Sequence, residues 1–74
     1  MSKQEQLMEY TTQDIVSYIM EDNGVDMITA MHLFFSSLTY EKLLDPECGL
    51  YRESSAYVYA IYNDECLHGK LTNQ

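Results

Sequence analysis

Four side chains in this sequence have the chemistry of soft metal ligands, or of a nucleophile and its base: His32, Cys48, Cys66 and His68. Structural zinc needs paired ligands spaced so that one turn presents two of them to a tetrahedral ion. Cys66 and His68 are the only close pair, and side chains two residues apart on a helix point away from each other. We therefore expect no metal and no cofactor, and we expect both cysteines to be small, buried or half-buried thiols.

The sequence also lacks the patterns of common enzyme sites. A cysteine–histidine hydrolase needs a thiolate, a base and an orienting group in one cleft, and no motif such as C-G-S-C-W occurs. Gly24, Gly49 and Gly69 are too dispersed for a phosphate-binding loop. The adjacent carboxylates at 21–22 and 64–65 are typical of solvated helix ends. We expect no catalytic residue and no enzymatic activity.

The charge balance is strongly acidic, since 12 Asp and Glu against 4 Lys and Arg give a formal net charge of −8. Nucleic acids and anionic membranes attract proteins through clustered Lys and Arg. The cations here are scattered along the chain, at Lys3, Lys42, Arg52 and Lys70. The sequence thus excludes nucleic acid and membrane as partners. The negative charge either attracts a basic protein or serves solubility alone.

Length and cysteine content indicate a single small domain. A chain of 74 residues buries a limited share of its surface and often gains stability from a disulfide, a metal or a second subunit. Two cysteines allow one disulfide at most, the N-terminus is too polar for a signal peptide, and no apolar run is long enough to cross a bilayer. We expect a cytoplasmic protein with reduced thiols, stabilised by a partner protein or by self-association.

Apolar spacing predicts an all-α fold, a small bundle of three to four short helices. Residues 1–10 form either a flexible arm or an extension of the first helix, 11–68 form one helical domain, and 69–74 form a flexible tail. Thr11 or Thr12 is the expected N-cap of the first helix. Its apolar stripe contains Ile15, Val16, Ile19 and Met20, flanked by Tyr18.

The next helix follows a short turn. Asn23-Gly24 ends the first helix, because glycine readily takes a left-handed conformation, and Asp26 caps the second. The two helices have the outline of a helix-turn-helix, but the second offers almost nothing to contact bases or phosphates, which indicates an ordinary αα-hairpin. The second helix is apolar around most of its circumference, as in a central helix or one half covered by another chain. Its broad face contains Met27, Ala30, Met31, Phe34 and Phe35.

Thr39 is the expected cap of a short third helix, which Asp45-Pro46 ends because the residue before a proline avoids the helical region. Its inward residues are predicted to be Tyr40, Leu43 and Leu44. Residues 56–62 alternate as in a strand and are rich in aromatic residues, but no second strand exists to pair with them. We therefore predict a helix over about 55–68, capped by Ser54 or Ser55. One side of it carries Val58, Ile61, Tyr62 and either Glu65 or Cys66.

Tyrosine is abundant, with seven residues and no tryptophan. Its ring is apolar and its tip polar, which suits the boundary between a core and a wet interface. The rings either lie across a small core with their hydroxyls in water, or form a tyrosine- and methionine-rich face that docks on another protein. The candidate partner-binding residues are Phe34, Phe35, Tyr51, Tyr57, Tyr59 and Tyr62.

The segment TYEKLLDPECGLYRESSAYVYAIYNDE, residues 39–65, resembles a group of short, uncharacterised bacterial proteins that share the pattern T-[YF]-x-K-L-x-D-x-x-[TC]-G-L-Y-x-x-S-x-A-Y-V-Y near the C-terminus, after two helices. With the upstream helices, the resemblance covers most of residues 11–65. Cys48 stands where a threonine is expected. The resemblance implies a cytoplasmic domain of unknown function, prokaryotic or phage-like, with no catalytic residue. The matching positions are Thr39, Tyr40, Lys42, Leu43, Asp45, Gly49, Leu50, Tyr51, Ser54 or Ser55, Ala56, Tyr57, Val58 and Tyr59.

These observations favour a non-enzymatic interaction module that binds a partner protein, or a second copy of itself, through an apolar and tyrosine-rich face. We expect that face to combine the second helix with the region 50–62. The alternative is an acidic, antitoxin-like or nucleic-acid-mimicking inhibitor of a basic enzyme. That alternative predicts carboxylates clustered on one face and binding that weakens as salt rises.

Overall fold

The computed structural model describes residues 2–68, and in this range the chain forms four α-helices and no strand. The predicted all-α bundle is therefore confirmed for these residues. The predicted tail, 69–74, lies outside them. The elements in chain order are α1 (Lys3–Asn23), α2 (Met27–Phe35), α3 (Leu38–Leu44), a 3₁₀ turn (Leu50–Arg52) and α4 (Ser55–His68).

Helix α1 begins well before the predicted cap. Ser2 is the N-cap, because its Oγ accepts a hydrogen bond from the Glu5 N–H (3.2 Å) and the Glu5 carboxylate accepts one from the Ser2 N–H (3.1 Å). This capping box satisfies donors that a helix end leaves free. Thr12 lies inside the helix, where its hydroxyl donates to the Met8 carbonyl. The prediction of a cap at Thr11 or Thr12 is therefore wrong.

The turn between α1 and α2 follows the sequence signals. Gly24 has a left-handed φ of 64° and donates from its N–H to the Met20 carbonyl. Asp26 caps α2 by accepting a hydrogen bond from the Thr29 N–H at 2.9 Å. Hydrogen bonding by the side chain and backbone of Thr29 lowers the pKa of Asp26. Both predicted helix ends are confirmed, and α1 and α2 form a hairpin.

Ser37, and not Thr39, is the N-cap of α3. The Ser37 hydroxyl accepts a hydrogen bond from the Tyr40 N–H (3.1 Å) and donates one to the Phe34 carbonyl (2.6 Å). One hydroxyl therefore serves both the end of α2 and the start of α3. Thr39 is the second residue of α3 and is fully buried. The predicted cap at Thr39 is wrong because its hydroxyl has a different partner on α4.

Helix α3 ends at Asp45, as predicted, directly before Pro46. Of its two adjacent leucines, Leu43 is fully buried and Leu44 is exposed. Consecutive side chains on a helix are about 100° apart, so a helix that packs on one side buries one of the two. The expectation that Leu44 points inward is wrong.

The carboxylate of Glu65, on α4, binds the N-terminus of α3. It accepts hydrogen bonds from the Leu38 N–H (2.9 Å), the Thr39 N–H (3.0 Å) and the Thr39 hydroxyl (2.8 Å). Glu65 is itself buried. A carboxylate at this position satisfies free backbone donors and interacts favourably with the positive end of the helix dipole. Glu65 thus joins α4 to Thr39 of α3, which lies 26 residues away in sequence.

The ambiguous segment 56–62 is helical, and α4 runs over Ser55–His68 as predicted. Ser54 is the residue whose Oγ accepts from the Tyr57 N–H (3.1 Å). The neighbouring Ser55 donates instead to the Asp14 carboxylate of α1 (2.6 Å). The buried side of α4 is formed by Val58, Tyr62 and Glu65.

Aromatic rings connect all four helices. Six rings form a continuous chain of neighbours, with centroid separations from 4.9 to 6.1 Å. Such separations are those of favourable tilted, edge-on or stacked ring pairs. In order, the chain is Phe35, Tyr40, Phe34, Tyr62, Tyr59 and Tyr18. The surrounding core contains Met8, Ile15, Val16, Ile19, Ala30, Leu43, Leu50, Tyr51 and Val58.

We predict that Glu65→Gln lowers the free energy of unfolding by about 1–3 kcal/mol, because an amide cannot accept three hydrogen bonds as a carboxylate does and loses the charge at the α3 N-terminus. Chemical denaturation measures the loss. The matched control is Asp64→Asn, which removes an exposed carboxylate from the adjacent position. The control should change stability by less than about 0.5 kcal/mol. Equal losses in the two variants would contradict the role assigned to Glu65.

Candidate partner-binding surface

Three of the six predicted contact residues belong to the core. Phe34 is fully buried, and Tyr51 and Tyr62 are nearly so. The Tyr51 hydroxyl accepts hydrogen bonds from the Gln4 amide (2.9 Å) and the Arg52 Nε (3.3 Å). These bonds lower the pKa of Tyr51, the Gln4 bond most strongly. The three rings offer no surface to a partner, because the aromatic chain and the N-terminal turn of α1 cover them.

Tyr59 is half-buried and faces α1. Its ring lies 5.0 Å from that of Tyr18, and its hydroxyl donates to the Asp22 carboxylate at 2.6 Å. Burial, together with the hydrogen bond and negative charge of Asp22, raises the pKa of Tyr59 to about 12. The hydroxyl therefore ties α4 to the last turn of α1, and only part of the ring is accessible.

Phe35 and Tyr57 are the two predicted residues with exposed rings, at 41% and 53% of their surface. They lie on different helices. Phe35 is the last residue of α2, whereas Tyr57 is in the first turn of α4. Phe35 lines three depressions of the molecular surface.

The apolar circumference of α2 divides between the core and an open groove. Ala30 and Phe34 are buried against the other helices. Met27, Met31 and Phe35 recur every four residues and therefore share another side of the helix. This side forms one wall of a groove of about 440 Å³ between α1 and α2. The wall on α1 consists of Thr12, Gln13, Val16, Ser17 and Met20.

Two further depressions adjoin this groove. The larger, of about 270 Å³, lies between α1 and α3, where Met8, Tyr40 and Leu44 line it together with Glu5 and Glu9. The other, of about 190 Å³, is on the outer side of α2 beside Ile28 and His32. Phe35 lines all three depressions. We call the Phe35 surface the set Met8, Thr12, Val16, Met20, Met27, Ile28, Met31, Phe35, Tyr40 and Leu44.

Negative charge borders the Phe35 surface at the N-terminal end of α1, where Glu5 and Glu9 lie one turn apart. Within residues 2–68, neither Glu5 nor Glu9 forms an ion pair with a Lys or Arg side chain. Arg52 instead lies over the Tyr51 ring, 5.4 Å from its centre. The acidic groups at this end therefore keep their charge available to a basic ligand.

The residues with potential metal or thiol chemistry remain apart. In the described part of the chain, no three His, Cys, Asp or Glu side chains gather as a metal site would require. Cys48 and Cys66 are free and both are exposed, so the expectation of buried or half-buried thiols is wrong.

Burial, and to a smaller degree the neighbouring Cys66, raises the pKa of Tyr62. None of the helices within residues 2–68 has the length and apolarity needed to span a membrane.

The methionines of the groove were not among the predicted contact residues. Met27 and Met31 share a predicted broad face with Ala30, Phe34 and Phe35, on a helix expected to be central or half covered by another chain. The sequence does contain the pattern that distinguishes the two sides of α2. Apolar residues at positions 27, 31 and 35 are spaced four apart, and those at positions 30 and 34 form a second series with the same spacing. Two apolar lines on one short helix indicate two different neighbours.

We predict that the free energy of unfolding decreases between about pH 10 and about pH 12, in part because the Tyr59 hydroxyl ionises. Its pKa in the fold, about 12, lies above its ordinary value of 10.0, so its contribution is complete below pH 10 and is lost as the pH rises through 12. In Tyr59→Phe, the unfolding free energy should fall less steeply over this interval. The control Tyr10→Phe alters an exposed tyrosine and should retain the wild-type slope. Identical slopes for Tyr59→Phe and wild type would refute this assignment.

Comparison with known proteins finds no matching family model, no matching curated protein and no matching solved structure. The resemblance of residues 39–65 to short bacterial proteins stays a prediction.

Proposed function

We propose that this protein is a non-enzymatic interaction module that binds a basic partner protein through the Phe35 surface. The observation that carries the proposal is the second apolar side of α2. Met27 and Ile28 are more than half exposed and Phe35 is 41% exposed, next to a groove lined by five apolar and three polar side chains. Soluble monomers rarely leave continuous apolar surfaces of this kind open, because covering them is favourable.

The chemistry of the partner follows from charge. The chain has a net charge of −8, and Glu5 and Glu9 border the apolar surface. Two copies of such a chain repel each other, whereas a partner carrying Lys or Arg beside an apolar segment is attracted. Charge complementarity therefore favours a different, basic protein over a second copy of this chain.

The test compares two substitutions that place a lysine at an exposed apolar position. Met27→Lys changes the groove, where the side chain is 55% exposed, and Leu67→Lys changes α4, where it is 80% exposed. Both variants should fold, because neither side chain is in the core. Each protein is used as bait in a lysate of the native host, the captured protein is identified and purified, and its affinity for each bait is measured by titration.

We expect Met27→Lys to weaken binding at least ~10-fold, equivalent to about 1.4 kcal/mol, because a lysine desolvates poorly and repels a basic ligand. Leu67→Lys should bind as the wild type does. Equal loss in both variants, or none in Met27→Lys, would contradict the proposal. Binding that ignores Met27 but disappears at high salt would favour the phosphate-mimicking inhibitor instead.

Self-association is decided by light scattering over a range of concentrations. The proposal predicts a monomer at every concentration used for the titrations. A wild-type dimer that Met27→Lys dissociates would show that a second copy of the chain covers the groove, and the basic partner would then be wrong.

A further inference from the structure

The Phe35 surface extends along α1. The groove and the α1–α3 depression share Thr12 and Phe35, so their linings join into one path from Glu5 to Met20. At about 1.5 Å per residue, this stretch of α1 is about 22 Å long, or about four helical turns. The molecule is 18 Å thick along its shortest axis, about the thickness of two packed helices.

The walls of the path are suited to a helix. Met20, Met27 and Met31 supply flexible, polarisable side chains, which adapt to the ridges of an apolar helix face. In helix-in-groove recognition, a bound helix packs the apolar residues on one of its sides into a surface of this kind. A partner strand would need an open sheet edge, and residues 2–68 contain no strand.

The two ends of the path differ in their lining. Glu5 and Glu9 line the depression at one end, beside Leu44. The lining at the other end, at Met20 and Met27, contains no carboxylate, although Glu21 and Asp26 directly adjoin these methionines in sequence. A ligand with cationic residues at one end of its apolar stripe places them beside lining carboxylates in the orientation that brings that end to Glu5 and Glu9.

We infer that the segment recognised by the Phe35 surface is an amphipathic helix of about four turns, with apolar residues at i, i+3, i+4 and i+7 and a Lys or Arg cluster at one end. This inference rests on the proposed function and specifies the partner that the surface accepts. Such a segment would pack its apolar side on α1 and α2 and place its cations beside Glu5 and Glu9.

The probe is a fluorescent synthetic peptide of about 16 residues, with a leucine stripe at helical spacing, glutamine elsewhere and lysines in its last turn. Its affinity for the full-length protein is measured by fluorescence anisotropy, and its helicity by circular dichroism. Three comparison peptides have the same length: one with the order of residues scrambled, one with glutamates replacing the lysines, and one with a central proline. Only the first peptide should bind and gain helicity, with each comparison peptide at least ~10-fold weaker.

Charge reversal at one residue tests the register. Glu9→Lys changes the acidic end of the path, and the matched control, Asp64→Lys, makes the same charge change on α4, which does not line it. Glu9→Lys should weaken the lysine peptide several-fold more than Asp64→Lys does. It should also strengthen the glutamate peptide. Equal effects of the two variants, or equal binding of the scrambled or proline peptide, would overturn the inference.

The outcomes separate this inference from the proposed function. If the captured partner protein depends on Met27 but none of the peptides binds, the surface docks a protein in another manner and the helix is wrong. If the partner ignores Met27, both are wrong. Because the peptides differ only in sequence, their comparison on the wild-type protein remains decisive even if a variant fails to fold.

Discussion

The buried carboxylate of Glu65 determines where α3 lies. Its hydrogen bonds to Leu38 and Thr39 hold the start of α3 against α4, while the Ser37 hydroxyl holds the same point to the end of α2. With α3 fixed in this way, Tyr40 lies between Phe34 and Phe35 and completes the connection of the rings. A seven-residue helix has little stability of its own, so these contacts from other elements are what define it.

The high tyrosine content follows from the small size of the domain. A bundle this small has few fully buried positions, and a tyrosine can fill one while its hydroxyl reaches a polar partner at the edge of the core. The Tyr51 hydroxyl forms hydrogen bonds with Gln4 and Arg52, and the Tyr59 hydroxyl forms one with Asp22. Contacts between elements thus involve five of the seven tyrosines, and two of these, Tyr51 and Tyr62, are buried.

Helix α2 has no complete set of neighbours within the described chain, and this leaves the open groove. One of its sides contributes Phe34 to the core and another presents Phe35 and two methionines to solvent. Under the proposed function, the excess negative charge would keep molecules with this apolar surface apart, and at the Glu5–Glu9 end it would select a cationic ligand.

The sequence by itself determined the helical class, the left-handed turn at Gly24, the cap at Asp26 and the end of α3 at Asp45, because these depend on neighbouring residues in the chain. The capping box at Ser2 and Glu5 was equally local and was readable as S-x-x-E. Only the tertiary structure decided the remaining features. Glu65 is adjacent in sequence to the exposed Asp64, and Phe34 is adjacent to Phe35, yet one member of each pair is buried and the other is not. Which one is buried depends on the helix that packs opposite, and no local pattern contains that information.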